Sequence, residues 1–516
     1  VLTRGLVGSL LVLLGGLVVS VVPGSSWVMR TDVLVALRES EAGRMAGLAL
    51  VMGGLGLLAH SWLLLCRQVT RGRGSEPVAS RLALTRLSAA VWSLPLLVAP
   101  PLFSRDGWSY AAQGMLVHVG VSPYRNGPGV LRGGTVTEAV DPRWMFSTTP
   151  YGPVPLGFGQ RFAELTSDPW LLVVLHRGVA VLGLVLLAWA VPRMAGWTGV
   201  DPALASAIVL ACPFMLANGV GGLHNDLLMA GLMATALVLA VERGWFWGAV
   251  LGGLAAGVKA PAGMVCLGVV LVGLPAAASL AERARRFAGV AVVSLGVLVG
   301  AGLLVGTGSG WVHALTVPGR VNVVLSVTTL VGGAADWVAG PLGLGTDPAT
   351  FLTLVRHLGT AVAVAVAGWV AVRWPTGRRD AAISALVVAL GTLVVLSPVV
   401  HLWYFLWVLP FVACHRLSRL TMTGLVALCV VLGLVAPLDS SLHEAYLLIV
   451  LGTMAAVVLT LVLLVTPAAR ERTRRIAAPG WVAALASDER VPQRAGSTSP
   501  ATSPSVIRPP EVDGAE

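Results

Sequence analysis

The feature that most constrains this chain is a recurrence: between residues 5 and 465, fourteen apolar stretches follow one another, separated by polar connections. They lie at 5–22, 45–65, 83–103, 170–191, 203–220, 227–241, 245–258, 261–280, 287–307, 351–372, 381–400, 402–414, 420–437 and 444–465. A helix of about 20 apolar residues crosses the hydrocarbon core of a bilayer. Only structures that satisfy their own backbone hydrogen bonds survive there. The pattern therefore predicts an all-α integral membrane protein of about fourteen transmembrane helices. Stretches 245–258 and 402–414 are short for a crossing and read as half-helices or tilted pieces. Segment 321–341, rich in Gly, Ala and Thr and containing Asp336, reads as a re-entrant or interfacial helix.

The formal charge of +11 comes from 34 arginines and a single lysine, Lys259, set against 24 acids. In a soluble protein this balance would point to nucleic acid. In a chain that is 56% hydrophobic and only 11% charged, it measures the arginines that orient helices, and nucleic acid is not an expected partner. Arg4, Arg67–Arg81, Arg193, Arg243, Arg283–Arg286, Arg373–Arg379, Arg416–Arg419 and Arg470–Arg475 fall in alternate connections. Short basic connections stay cytoplasmic. This parity puts both termini inside the plasma membrane and turns 104–169 and 308–350 outward; it uses the first apolar stretch as a span. Residues 1–466 read as one transmembrane module. Residues 467–516, a basic run followed by a Ser/Thr/Pro/Ala tract, read as a disordered cytoplasmic tail whose basic part meets anionic headgroups. The five cysteines sit in or beside apolar stretches without C-x-x-C or metal spacing, so free buried thiols are expected, with no metal and no cofactor.

The outward-facing connections collect the unusual residues. Loop 104–169 is far longer than an ordinary connection, and long ordered loops carry function. It opens with Ser104-Arg105-Asp106, runs through residues of helical spacing at 107–119, and holds Trp108, Tyr110, Tyr124, Trp144 and Tyr151 as candidates to stack on sugars. His224-Asn225-Asp226 interrupts a Gly-rich apolar stretch on the same face, where polar groups are costly without a purpose. As a bland alternative, Asp106 and Asn225 or Asp226 cap helices. Lys259 sits at an outer turn, and His401 marks the outer end of another span. His176-Arg177 and Arg356-His357 each lie about six residues into a span, about 9 Å deep at 1.5 Å per residue. A guanidinium at that depth needs an anion or a structural partner; a lipid phosphate at headgroup level would serve.

At these residues the chain resembles a known family. Ser104-Arg105-Asp106 with Ser109-Tyr110-Ala111-Ala112-Gln113-Gly114, then Pro123-Tyr124 and Gly127-Pro128, then Pro150-Tyr151-Gly152-Pro153, are similar to the first outer loop of actinobacterial polyprenol-phosphomannose-dependent α-1,6-mannosyltransferases of the MptA/MptB type. His224-Asn225-Asp226, Gly257-Val258-Lys259-Ala260-Pro261 and Ser397-Pro398-Val399-Val400-His401 with Trp403-Tyr404 follow in the family's order. The resemblance spans roughly residues 80–465 and looks closer to the MptB type, with departures at Leu402 and Ser326-Val327. It implies a GT-C bundle with a catalytic acid in the first large outer loop. It also implies a polyprenyl-phosphate-mannose donor and an acceptor that is a growing lipomannan on a phosphatidylinositol-mannoside.

On that reading Asp106 is the general base of an inverting transfer. Arg177, Arg356 or Lys259 hold the donor phosphate. Trp108, Tyr110, Tyr124, Trp144, Tyr151, His224, Asn225, Asp226 and His401 form the sugar-binding set. The rival readings are a secondary transporter or lipid-linked sugar flippase, and a non-enzymatic scaffold. Transporters place their binding groups near the midplane between related halves; here the polar residues gather at one face, beside one asymmetric loop.

Overall fold

A computed structural model describes residues 1–315, 317, 326–342, 349–438 and 467, and no sheet forms among them. The first helices are α1 (Leu2–Val19), α2 (Asp32–Glu39), α3 (Glu41–Arg71), α4 (Val78–Leu97), α5 (Asp106–His118) and α6 (Pro153–Leu165). Then come α7 (Pro169–Thr198), α8 (Pro202–Ala211), a π-helical turn at Met215–Gly221, α9 (Asp226–Glu242), α10 (Trp245–Val258) and α11 (Val265–Val272). The described chain closes with α12 (Leu280–Leu304), α13 (Trp311–Ala314), α14 (Val327–Ala339), α15 (Thr350–Arg373), α16 (Arg379–Leu396), α17 (Leu409–Ala413) and α18 (Arg419–Leu434).

Six of these, α1, α3, α7, α12, α15 and α16, are long and apolar enough to cross a membrane. α8 and the π turn, bent by 55°, make a seventh if they form one broken span. Helix length therefore does not reproduce the expected fourteen. α9, α10, α11, α17 and α18 stop at 17, 14, 8, 5 and 16 residues. A hydropathy window adds up apolar residues without asking whether the helix is continuous. Pro213, Pro261 and Pro410 interrupt it where the window sees none of this. Stretch 444–465, residues 468–516 and parts of 308–350 lie outside the described residues.

Two sequence choices bring the helices together. Gly15 of α1 lies so close to Gly47 of α3 that a Cβ there would sit 2.4 Å from the Gly47 carbonyl oxygen. Gly231 of α9 meets Gly183 of α7 in the same way, at 2.5 Å. Small residues let helix backbones approach where lipid offers no hydrophobic drive to associate. α8, the π turn and α9 are almost wholly buried and form the core of the bundle. α12 and α15 are the least buried of the six long helices and expose Val292, Leu303, Val364 and Trp369, as lipid-facing helices would. Asp336, the acid expected in a re-entrant segment, sits in the short helix α14 and accepts from Phe351 N and Leu352 N at 2.8 and 2.9 Å, fixing the start of α15.

Arg177 is fully buried, and its surroundings correct an expectation. It does not face a lipid phosphate. Its guanidinium donates to four carbonyls: Leu97 O (2.9 Å) and Ala99 O (2.6 Å) at the end of α4, and Val220 O (3.1 Å) and Gly221 O (3.2 Å) at the end of the π turn. These are carbonyls that a helix end leaves without intrahelical partners. Just beyond the clamp, each chain passes through a non-glycine residue in the left-handed region, Phe103 (φ 66°) and Leu223 (φ 55°). Such conformations cost about 1–3 kcal/mol each and persist only where the surroundings enforce them. Asp106 follows the first turn and His224 the second.

Candidate active site

Four short elements deliver the site: the start of α5, the start of α9, the turn after α10, and the 3-10 segment Leu402–Trp407 that precedes α17. Asp106 is the first residue of α5, with its backbone N–H held by Ser104 Oγ at 3.1 Å. One of its oxygens, Oδ2, is gripped from three sides. Tyr151 OH donates at 3.3 Å, Tyr110 OH stands at 3.5 Å, and His224 Nδ1 lies 3.3 Å away. The two tyrosine hydroxyls are themselves 3.3 Å apart, and Tyr110 OH accepts from Asn225 N at 3.4 Å. Among the described residues nothing bonds the other oxygen, Oδ1, and 15% of the side chain is exposed. Burial pushes the Asp106 carboxyl upward, but the neighbouring His224 imidazole and Lys259 outweigh it, and the group sits below its ordinary value as a carboxylate.

Behind this acid lies a second, closed one. Asp226 is fully buried; its Oδ1 accepts from Lys259 Nζ at 3.1 Å and from Trp407 Nε1 at 2.6 Å. The Lys259 ammonium also lies 4.3 Å from the centre of the Tyr404 ring and 5.7 Å from that of Tyr151. This pair is a brace. A buried carboxylate without its cation would be untenable, and the brace joins α9, the α10 turn and the 402–407 segment. The remaining wall is aromatic: Trp403 is sandwiched between His224 (3.7 Å, 15°) and His401 (4.5 Å, 4°). Loop and bundle meet backbone to backbone, since Gly152 N donates to Val258 O at 3.0 Å and a Cβ on Gly152 would sit 2.3 Å from Gly257 O. The Tyr151 end of the loop is tied to α5 through Thr149, whose hydroxyl donates to Gln113 Oε1 at 2.9 Å and accepts from Tyr151 N.

The structure thus gathers Asp106, Tyr110, Tyr151, His224, Asn225, Asp226, Lys259 and His401 into one cluster, as their pattern in the chain suggested. It leaves others out. Trp108 is fully buried, donates to Val21 O at 3.1 Å and packs on Trp170, so it anchors α5 and offers no face to a sugar. Trp144 is half-buried, its backbone N–H donates to Asp141 O, and its indole has no ring partner among the described aromatics. Tyr124 lines a separate cavity. Lys259 is engaged by Asp226. Arg356 is half-buried at the edge of the cluster, where Nε and Nη2 reach Thr329 Oγ1 at 3.1 and 2.9 Å. Thr329 in turn donates to Pro398 O, three residues before His401. Trp407 is the member that sequence reading missed; its signal was an indole beside the quoted Trp403-Tyr404 pair. Among the described residues no three His, Cys, Asp or Glu side chains are grouped to hold a metal.

Comparisons with known proteins identify the family of the chain. The family profile described as alpha-(1->6)-mannopyranosyltransferase, N-terminal domain, matches residues 2–276, and the MptB C-terminal domain profile matches residues 328–465. An alpha-(1->6)-mannopyranosyltransferase of Mycobacterium tuberculosis is 30% identical over 458 residues, covering 78% of this chain and 77% of its own. The alpha-(1->6)-mannopyranosyltransferase A of the same organism is 30% identical over 436 residues, covering 82% of each. A probable alpha-(1->6)-mannopyranosyltransferase of Mycolicibacterium smegmatis is 29% identical over 454 residues, 81% of this chain and 79% of its own. With both profiles matched in order and the gathered loop residues lying within the first, the chain belongs to the actinobacterial alpha-(1->6)-mannopyranosyltransferase family, on the MptB side of it.

Proposed function

We propose that this mannosyltransferase moves mannose from a polyprenyl-phosphate carrier to an α-1,6-mannan acceptor at the outer face of the plasma membrane, with inversion at C1. The observation that carries the reading is Asp106 itself: one oxygen is fixed by three neighbours and the other is open. The acceptor 6-hydroxyl approaches Oδ1 and gives up its proton as its oxygen attacks C1 of the β-mannosyl phosphate. The C1–O bond to phosphate breaks with its electron pair, the α-glycosidic bond forms, and polyprenyl phosphate leaves. Asp106 then passes its proton to water. A single displacement needs one reacting carboxylate, and Asp226, fully buried and held at Oδ1 by Lys259 and Trp407, is not a second one. A GT-C bundle, with its broken helices ending at the catalytic face, fits this chemistry. The acceptor of this proposal is a lipomannan precursor on a phosphatidylinositol-mannoside, as the family resemblance implies, and no metal or cofactor enters the scheme.

The leaving phosphate needs a cation. We assign this role to Arg356, whose guanidinium is tied through Thr329 to Pro398 O, three residues before His401. Arg356→Ala is expected to raise the donor KM about tenfold, the worth of one charged hydrogen-bond contact of about 1.5 kcal/mol, with the acceptor KM little changed. Equal changes in both constants would return Arg356 to a purely structural role.

The sidedness is tested by cysteine labelling. The native cysteines are buried or, for Cys266, half-buried, whereas Ser75 and Thr135 are exposed. In intact spheroplasts an impermeant maleimide is expected to label Thr135→Cys and to reach Ser75→Cys only after permeabilisation. Labelling of both positions in intact cells would remove the topology on which the outer-face site stands.

A further inference from the structure

At the far end of α5 from Asp106 lies a cavity of about 830 Å³. Its walls come from the α5 end and following turn (Val117 to Arg125), Thr148 of the loop, Gln160 of α6, and the α12–α13 connection with His313. Eleven residues of α5 separate Val117 from Asp106, about 16 Å at 1.5 Å per residue. The loop segment 148–151 makes the same journey, from Thr148 in the cavity wall to Tyr151 on the Asp106 carboxylate.

The lining is neither greasy nor acidic. Ser122, Tyr124, Thr148, Thr307 and Ser309 offer five hydroxyls, Gln160 an amide, and no carboxylate is present. Two of these polar atoms, Tyr124 OH and Thr148 Oγ1, are buried and have no hydrogen-bond partner. Burying a hydroxyl without a partner costs about 1–3 kcal/mol, so a site that does this twice in one wall is built to be completed by something. Valines 117, 121 and 305 and the ring of Tyr124 supply the apolar surface between them. Hydroxyls and an amide set among small apolar faces match a neutral polyhydroxylated ligand, whose C–H faces pack while its hydroxyls hydrogen-bond. The cations of the lining, Arg125 and His313, are exposed at its edge and do not set its character.

We infer that this cavity is a remote saccharide subsite, which grips the inner sugars of the acceptor chain while its terminal residue reacts at Asp106. The inference rests on the mannan-acceptor reading above and adds a length preference to it: a disaccharide engaged at Asp106 falls short of the cavity, whereas a longer chain reaches it. Binding energy gathered there is spent on the acceptor and not on the donor.

The test uses the full-length protein in nanodiscs with polyprenyl-phosphate-mannose and two acceptors, an α-1,6-dimannoside and an α-1,6-octamannoside. Two variants are compared with the wild type: Ser309→Trp, which fills the cavity from an exposed position, and Gln160→Ala, which removes the amide. Wild type is expected to show a KM for the octamannoside on the order of tenfold below that for the dimannoside. Both variants should raise the octamannoside value toward the dimannoside one, leaving kcat and KM on the dimannoside unchanged. Equal wild-type KM values for the two acceptors, or variants that affect both alike, would overturn the subsite. So would a Ser309→Trp protein that keeps the length preference and instead loses a response to anionic lipid in the nanodisc, which would make the occupant a headgroup. If wild type transfers mannose to neither acceptor, the proposed function fails. The subsite is then judged by calorimetry of the octamannoside on donor-free protein: binding that Ser309→Trp abolishes supports it, and no binding overturns it.

Discussion

Asp106→Asn is expected to fold, insert and bind donor normally while kcat falls by about two to four orders of magnitude, the usual contribution of a positioned base. The amide matches the carboxylate in shape, and its carbonyl oxygen can still accept from Tyr151 at the Oδ2 position, so the surrounding cage survives. What disappears is the capacity of the open oxygen to take a proton. A helix cap would behave differently, because Asn caps as well as Asp, and the backbone N–H at this position is already held by Ser104. Asp106→Glu keeps the base but moves it by one methylene out of a three-sided cage; partial activity is expected, since reacting geometry tolerates little displacement. Steady-state turnover with the donor bound to saturation is the measurement. Normal turnover by the Asn variant would show that the proton goes elsewhere.

The second large effect is expected far from the chemistry. Arg177→Ala takes a donor from four carbonyls, orphaning three of them while Gly221 O keeps the Leu102 N–H, and releases the two left-handed turns that precede Asp106 and His224. Each lost partner costs about 1–3 kcal/mol, tempered by relaxation, and a net loss of the order of 3–5 kcal/mol is expected. The readout is a lower Tm and a lower yield of monodisperse protein in detergent. Arg177→Lys keeps the charge but cannot span four acceptors with one ammonium, and should recover only part of the loss. A normally stable Arg177→Ala protein with a raised donor KM would reinstate the lipid-phosphate role that its depth in α7 suggested.

That reversal shows where sequence reading stops. The depth of Arg177 was legible because residues count distance along a helix, and depth demands a partner. The partner was not legible, since the four carbonyls come from residues 97–99 and 220–221, more than forty positions away in either direction. Asp106, Tyr110, Tyr151, His224 and Lys259 were legible for a different reason. Polar residues are so expensive in an apolar chain that their positions alone mark one face. Trp108 failed the same test because an aromatic has two possible uses, stacking on a ligand or filling a core, and composition does not separate them. The helix count is not reproduced among the described residues because apolarity is a property of residues, while spanning is a property of an unbroken run of hydrogen bonds.

The interrupted helices also bear on how the protein is made. His224 and Asp226 stand at the head of α9, Lys259 at the end of α10, and His401 to Trp407 ahead of α17; α10 and α17, at 14 and 5 residues, fall short of a full crossing, and α9, at 17, is at its lower limit. A segment that cannot span by itself gains little from partitioning into lipid during translation and depends on neighbours already in place. The long helices α1, α3, α7, α12, α15 and α16 can enter the bilayer one at a time; the segments that wall the Asp106 cluster have to be recruited into that framework afterwards. Biogenesis of the transferase would then complete the Asp106 cluster late, and a nascent chain halted before the 402–407 segment would be membrane-integrated yet lack the Trp403 and Trp407 side of that cluster.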